Sequence, residues 1–206
     1  MSHYIGPKCR LCRQEGEKLF LKGERCFTPK CSFQKKNYAP GIHGSKGSKL
    51  TEYGRQLREK QKIKRIYNLT EKKLLMYYKS SSKKGGDIGT QMQKLLEMRI
   101  DNIIYRSGLV SSRNTARQLT SHGHFDVNGK CVTVPSIQLK PGDKITLHKS
   151  TTAKSVAYQP SAEQQVPNWL KVDRKTKSLE VAEIATDEFI RSLNLNIRLV
   201  VEFYSR

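Results

Sequence analysis

Between His122 and Val134 the apolar residues change period, and that switch constrains the fold more than any other stretch. Phe125 and Val127 alternate with polar residues, Asn128-Gly129 follows, and Val132 and Val134 resume the alternation. Asn-Gly suits a type I′ turn, in which both central residues take positive φ, so the stretch predicts a two-residue hairpin. Val127 then faces Lys130 and Phe125 faces Val132 on one side, with Asp126 and Cys131 on the other. Upstream the period is helical. Thr90 and Gln93 have capping-box spacing, and Leu96, Ile100, Ile103 and Ile104 form one apolar face ending near Gly108. Ser112 caps a second helix running to Gly123, with Ala116 and Leu119 on one side and Arg113, Arg117 and Ser121 at i, i+4, i+8 on another. Beyond the hairpin, Ile137 with Leu139, the turn Lys140-Pro141-Gly142-Asp143, and Ile145 with Leu147 predict two further short strands.

Residues 1–45 hold four of the five cysteines, as Cys9-x2-Cys12 and Cys26-x4-Cys31, and too few apolar residues for a core of their own. Paired thiols at this spacing suit tetrahedral metal ligation, with zinc expected and an iron–sulfur cluster the alternative. Disulfides do not suit a reducing compartment, and the start of the chain shows no hydrophobic signal core, which leads us to expect a cytoplasmic protein. Cys131 reads as an ordinary strand residue, and His43 as no fifth ligand.

Lys and Arg number 39 against 18 Asp and Glu, a formal charge of +21. Such an excess favours a polyanionic partner. The chain lacks an apolar run of about 20 residues, and its basic stretches lack a broad apolar opposite face, so nucleic acid is expected rather than membrane. Arg10, Arg13, Lys22, Arg25, Lys35 and Lys36 are threaded among the cysteines. His43 and Lys46 lie in the Gly-rich linker Pro40–Gly47, which lacks the spacing of an NTPase phosphate loop. Arg55, Arg58, Lys62 and Arg65 crowd a helix expected over 50–67, whose thin apolar side is Tyr53, Leu57, Ile63 and Ile66. So many cations around one helix leave many for an external anion. Thr70 caps the next helix, with Leu69 and Leu74 as its hydrophobic staple, and Ser80–Gly86 reads as a flexible linker. Residues 150–166 read as a loop. Trp169–Val172 and Leu179–Val181 read as a strand pair around Arg174, Lys175 and Lys177. Thr186 caps a short helix, and the apolar end Leu199–Arg206 is expected to dock on an earlier element.

Met98–Asn102, Ala116–Leu119, His122-Gly123-His124 and Val127–Lys130 resemble the small RNA-binding module named after small-subunit ribosomal protein four. Gly6-Pro7-x-Cys9-Arg10-Leu11-Cys12, Pro40-Gly41-x-His43-Gly44, Leu57–Lys62 and Val200–Arg206 resemble the flanks of the bacterial protein four family in its four-cysteine form. Ile42 and Ser107 depart from residues usual there. The resemblance implies a ribosome-bound protein without enzymatic activity or small-molecule substrate. It would bind small-subunit rRNA early in assembly, beside ribosomal protein five and the region through which mRNA enters. It implies RNA contact by Arg113, Arg117, Gln118, Ser121, His122, His124, Asn128 and Lys130 besides the basic flank, and metal ligation by Cys9, Cys12, Cys26 and Cys31. Arg99-Ile100-Asp101 imitates a pseudouridine synthase motif, yet only about sixty residues follow Leu147, too few for a catalytic domain. A stand-alone RNA chaperone carrying the module is the other alternative.

The reading is therefore α+β: a four-cysteine metal-binding segment over 1–45, a basic helical region over 46–89, and a helix–helix–hairpin RNA-binding module with a small β-sheet over 90–150. Residues 151–206 add a loop, a strand pair and a tail that packs back.

Overall fold

A computed structural model describes residue 4 and residues 6–46, 49–83, 85–148, 166–173 and 175–206. The loop expected over 150–166 falls outside them except at Val166, as do Gly47, Lys84 and Arg174. The chain is mixed α+β and divides into two compact units, residues 1–92 with 194–206, and residues 93–193.

In the first unit, α1 (Lys8–Glu15) stops at Gly16, whose φ of 72° is left-handed and lets its N–H close on Cys12 O. α2 (Ser32–Lys35) follows, and a small core gathers Cys12, Leu19 and Leu21 with Leu11, Phe33 and Ile66. α3 (Glu52–Ile66) is capped by Thr51, whose Oγ1 accepts from Gly54 N at 3.2 Å. α4 (Glu71–Ser82) is capped by Thr70, and the staple residues Leu69 and Leu74 are both buried. The linker thus begins later than expected. Ser81 is helical and buried, and its hydroxyl is satisfied by donating to Tyr77 O at 2.9 Å. The tail forms the last helix, α9 (Ile197–Ser205), and packs along α3 and α4. Tyr53 meets Phe203 (ring centroids 5.7 Å), Tyr78 meets Tyr204 (5.2 Å), and Lys60 Nζ lies 4.2 Å from the Phe203 centroid.

The expected single helix from Thr90 is two: α5 (Ile88–Glu97), whose second half enters the second unit, and α6 (Ile100–Arg106). Thr90 is not the cap; Asp87 Oδ2 accepts Thr90 N at 2.9 Å. The break is at Arg99, which is extended at φ −73° and ψ 140°. It frees Met98 O to accept from Leu139 N (2.9 Å) and Ile100 N to donate to Ile137 O (3.0 Å). Residues 137–139 therefore form an isolated bridge to Arg99, not the strand expected there. The apolar reading survives the break, since Leu96, Ile100, Ile103 and Ile104 are all fully buried. Ser107, also buried, donates its hydroxyl to Ile104 O.

α7 (Arg113–Ser121) is capped by Ser112 and packs on α6. β1 (Phe125–Val127) and β2 (Lys130–Val132) pair in the expected register, Phe125 opposite Val132 and Asp126 opposite Cys131. Asn128 and Gly129 take φ of 51° and 79°, as that turn requires. β3 (Lys144–Leu147), β4 (Leu170–Asp173) and β5 (Ser178–Val181) complete an antiparallel sheet ordered β2-β1-β3-β5-β4. The expected strand pair around 174 is real but not separate, for β5 pairs with β3. α8 (Asp187–Ser192), capped by Thr186, and Trp169 close the core over Phe125, Ile145 and Leu179.

Candidate nucleic-acid interface and metal centre

The basic residues separate by what their side chains already do. Arg10, Lys22, Arg25, Lys35, Lys36, His43, Lys46 and Arg55 are exposed. Arg13 instead fastens the chain locally: its Nε donates to Tyr38 O at 2.9 Å and its guanidinium covers the Tyr38 ring. On α3 the expectation of many unneutralised cations does not hold. Arg58 and Arg65 both reach Glu15, Lys62 reaches Glu17 (2.7 Å) and Glu59 (3.7 Å), and Lys60 and Lys64 both reach Glu71 (2.7 and 3.2 Å). Lys60 and Lys62 are buried. Glu15, Glu17 and Glu71 lie outside α3, which hid their pairing from the sequence, whereas Glu59 with Lys62 is a local i,i+3 pair.

Glu15 and Glu71 experience opposite balances. Burial is the largest influence on Glu15 and pushes its carboxyl above the ordinary 4.5, despite Arg65 and Arg58. Burial alone would raise Glu71 too, but hydrogen bonds from Lys60, Tyr204 and Lys64 outweigh it and hold the group below 4.5. A side-chain NMR titration of the folded protein should therefore place the Glu15 midpoint above 4.5 and the Glu71 midpoint below it. By linkage, the Glu71 contribution to stability is whole above pH 4.5 and fades as the pH falls through its folded midpoint, while protonating Glu15 relieves a buried charge. Midpoints in the reverse order would refute this account.

In the second unit, buried carboxylates organise the arginines. Glu97, fully buried, takes two hydrogen bonds from Arg106 (3.0 and 3.1 Å) and one from Asn102 Nδ2 (2.8 Å). Asn102 Oδ1 in turn accepts from Arg113 Nε at 2.8 Å, and the Arg113 guanidinium lies 4.4 Å from the Tyr105 ring centroid. Asp101 holds the buried Arg99 through both oxygens (2.9 and 2.5 Å) and has Arg117 at 3.8 Å. Asp101 is thus a structural carboxylate, consistent with the binding-module reading of Arg99-Ile100-Asp101. Asn128 braces the hairpin, its Oδ1 accepting from Lys144 N and its Nδ2 donating to Asp143. Gln118, Ser121, His122 and Lys130 are exposed, His124 is half-buried, and the His122 and His124 rings lie parallel with centroids 6.2 Å apart. The brackets made by Glu97, Asn102 and Asp101 were missed in the sequence, where the signal was four polar residues, Glu97, Arg99, Asp101 and Asn102, within an otherwise apolar stretch.

Cys9, Cys12, Cys26 and Cys31 are free thiols that line one cavity of about 10 Å³, together with Lys8, Leu21, Lys22 and Phe33. Cys12, Cys26 and Cys31 are buried, and Lys22 N points at Cys26 Sγ (3.4 Å). Burial is the main influence raising the Cys12 and Cys26 thiols above their ordinary value, so a bound cation would be needed to favour the thiolates. The donor chemistry fits a thiolate-bound metal. The one group of three donors within 4.8 Å of one another among the described residues is a different one, Asp126, Cys131 and His148. No described helix is long and apolar enough to cross a membrane.

Residues 3–97 match the family model for the ribosomal protein S4/S9 N-terminal domain, and residues 98–145 match that of the S4 domain. Proteins named small ribosomal subunit protein uS4 are similar over their whole length and that of this chain. The one from Trichlorobacter lovleyi is 46% identical over 209 residues, that from Thermotoga petrophila 44% over 209, and that from Caldicellulosiruptor bescii 46% over 209. With both domains matched in order and relatives aligned end to end, the chain belongs to the uS4 family of ribosomal proteins, a structural and not an enzymatic family.

Proposed function

We propose that this chain is a structural constituent of the small ribosomal subunit that binds small-subunit rRNA directly during early assembly. In the assembled subunit it would lie beside ribosomal protein five and help shape the region through which mRNA enters. The observation carrying this is a charge of +21 on a chain alike, end to end, to proteins of the small subunit. Phosphate contacts dominate affinity for structured RNA, and an arginine-bearing helix beside a hairpin turn can follow its backbone shape. Arg113 and Arg117, held by Asn102, Tyr105 and Asp101, keep their guanidiniums in fixed positions, which lowers the entropy lost on binding. The exposed Gln118, His122 and Lys130 add adaptable contacts, and Ser121 and Asn128 are exposed beside them with their side chains already hydrogen-bonded within the module. Cys9, Cys12, Cys26 and Cys31 would hold zinc, which supplies the core that residues 7–45 lack.

Two measurements test the reading. The protein should co-purify with small subunits stripped of large-subunit material, in about one copy each. In addition, His122→Ala with Lys130→Ala should weaken binding to a small-subunit rRNA fragment while changing stability by no more than about 0.5 kcal/mol, as both side chains are exposed. Leu119→Ala, half-buried against the core, should do the reverse, at about 2 kcal/mol, the low end for such truncations. Equal effects on binding and melting from both changes, or a protein found only free of subunits, would overturn it.

A further inference from the structure

The face of the hairpin turned away from the core carries a second set of donors. Phe125, Val132 and Ile145 point into the core, so the alternating residues Asp126 and Cys131 stand on the outer side of the sheet. Asp126 and Cys131 are direct cross-strand partners. His148, one residue past β3, is anchored by its backbone N–H to His124 O at 3.0 Å. Its Nδ1 lies 2.7 Å from Asp126 Oδ1. One donor atom from each of Asp126, Cys131 and His148 falls within 4.8 Å of the other two. Cys131 is a free, exposed thiol whose sulfur lies 3.5 Å from Gly123 O.

We propose that Asp126, Cys131 and His148 form a site for a borderline-soft divalent cation of the zinc class, separate from the four N-terminal cysteines. Metal–donor bonds of ~2.0–2.3 Å in a tetrahedron set the donor atoms roughly 3.3–3.7 Å apart. The arrangement is near that range: the carboxylate and imidazole sit 2.7 Å apart, and all three donor atoms lie within 4.8 Å of one another. A cation entering the site takes the place of the direct Asp126–His148 contact, parting the two by about half an ångström, and the exposed Cys131 side chain adjusts by rotation. Cys131 gives its thiol proton to solvent, His148 binds through Nδ1 as the neutral imidazole with its ring proton on Nε2, and water completes the fourth position. All three residues project from, or lie next to, hydrogen-bonded strands, so binding orders only side chains. A thiolate with an imidazole selects zinc, cobalt or nickel, while magnesium and calcium prefer an all-oxygen set. The excess positive charge of the chain opposes any cation, so this site is weaker than one built from four thiolates.

The test uses the full-length chain. Wild type, Cys131→Ser and His148→Ala are equilibrated by dialysis against the same free Zn²⁺ concentration, and zinc per chain is measured by elemental analysis. Wild type should hold one zinc more than either variant, and replacing Zn²⁺ by Co²⁺ should show a thiolate-to-cobalt absorption reduced by one thiolate in Cys131→Ser. The zinc retained by Cys131→Ser reports the N-terminal cysteines alone, so loss of one reading leaves the other measurable. If His148→Ala does not fold, Cys131→Ser decides, because its side chain is exposed and nearly the same size. Equal zinc content and equal cobalt absorption in wild type and Cys131→Ser would overturn the proposal.

Discussion

Stripping metal from the full chain with a chelator, or replacing Cys9 and Cys12 together by Ser, is expected to unfold residues 7–45 while residues 93–148 keep their structure. The apolar core of that segment is Cys12, Leu19 and Leu21, supported by Leu11, Phe33 and Ile66. So few buried side chains leave nearly forty residues without a core sufficient to hold them, the situation in which small domains depend on a bound metal. A structural zinc site contributes ~10–16 kcal/mol of apparent binding free energy, comparable to the stability of a whole domain. The effect should extend to α3: Glu15 at the end of α1 holds Arg58 and Arg65, so loss of the segment would release both cations. Backbone amide exchange resolved by residue checks this directly, with protection lost over 7–45 and kept over 93–148. Reduced, native protein that holds no metal, or protection over 7–45 unchanged by chelation, would refute it.

Affinity for small-subunit rRNA is expected to fall steeply with salt, with a log–log slope of roughly −6 to −7 if about eight phosphates are neutralised. Between 50 and 200 mM salt that is a loss of about 10⁴-fold. Aromatic residues make up 8% of the chain, and Tyr78, Phe203 and Tyr204 among them are half-buried where α4 and α9 pack, whereas Tyr53, expected on the apolar side of α3, is exposed. Base stacking therefore has few platforms from which to carry the affinity. The internal ion pairs assign the slope to particular residues. Lys35→Ala with Lys36→Ala, both exposed, should flatten it by about 2, since each phosphate left without its ammonium keeps its counterion. Lys62→Ala should leave the slope nearly unchanged, since that ammonium is already engaged by Glu17, Glu59 and Asn194 O. Removing residues 1–45 should flatten the slope further while the remainder still binds. A slope near zero would send the explanation to base-specific readout.

What the sequence determined by itself is local in origin. The Asn128-Gly129 hairpin and its register follow from the backbone preferences of two residues and the alternation around them. The caps at Thr51, Thr70, Ser112 and Thr186 and the Leu69–Leu74 staple each depend on atoms a few residues apart. The spacing of the cysteines likewise marked four thiols that line one cavity. Contacts between residues far apart in sequence decided the rest. Propensity continues a helix through Met98 and Arg99, but the backbone of residues 137–139 offered hydrogen bonds that outweighed it, and the buried Arg99–Asp101 pair holds the break open. β5 reads as half of an isolated pair until β3 supplies its edge. The cations of α3 read as free until Glu15, Glu17 and Glu71 come alongside them. In each case the deciding partner lies outside the local stretch, and no local propensity or spacing encodes which distant group tertiary packing will bring alongside.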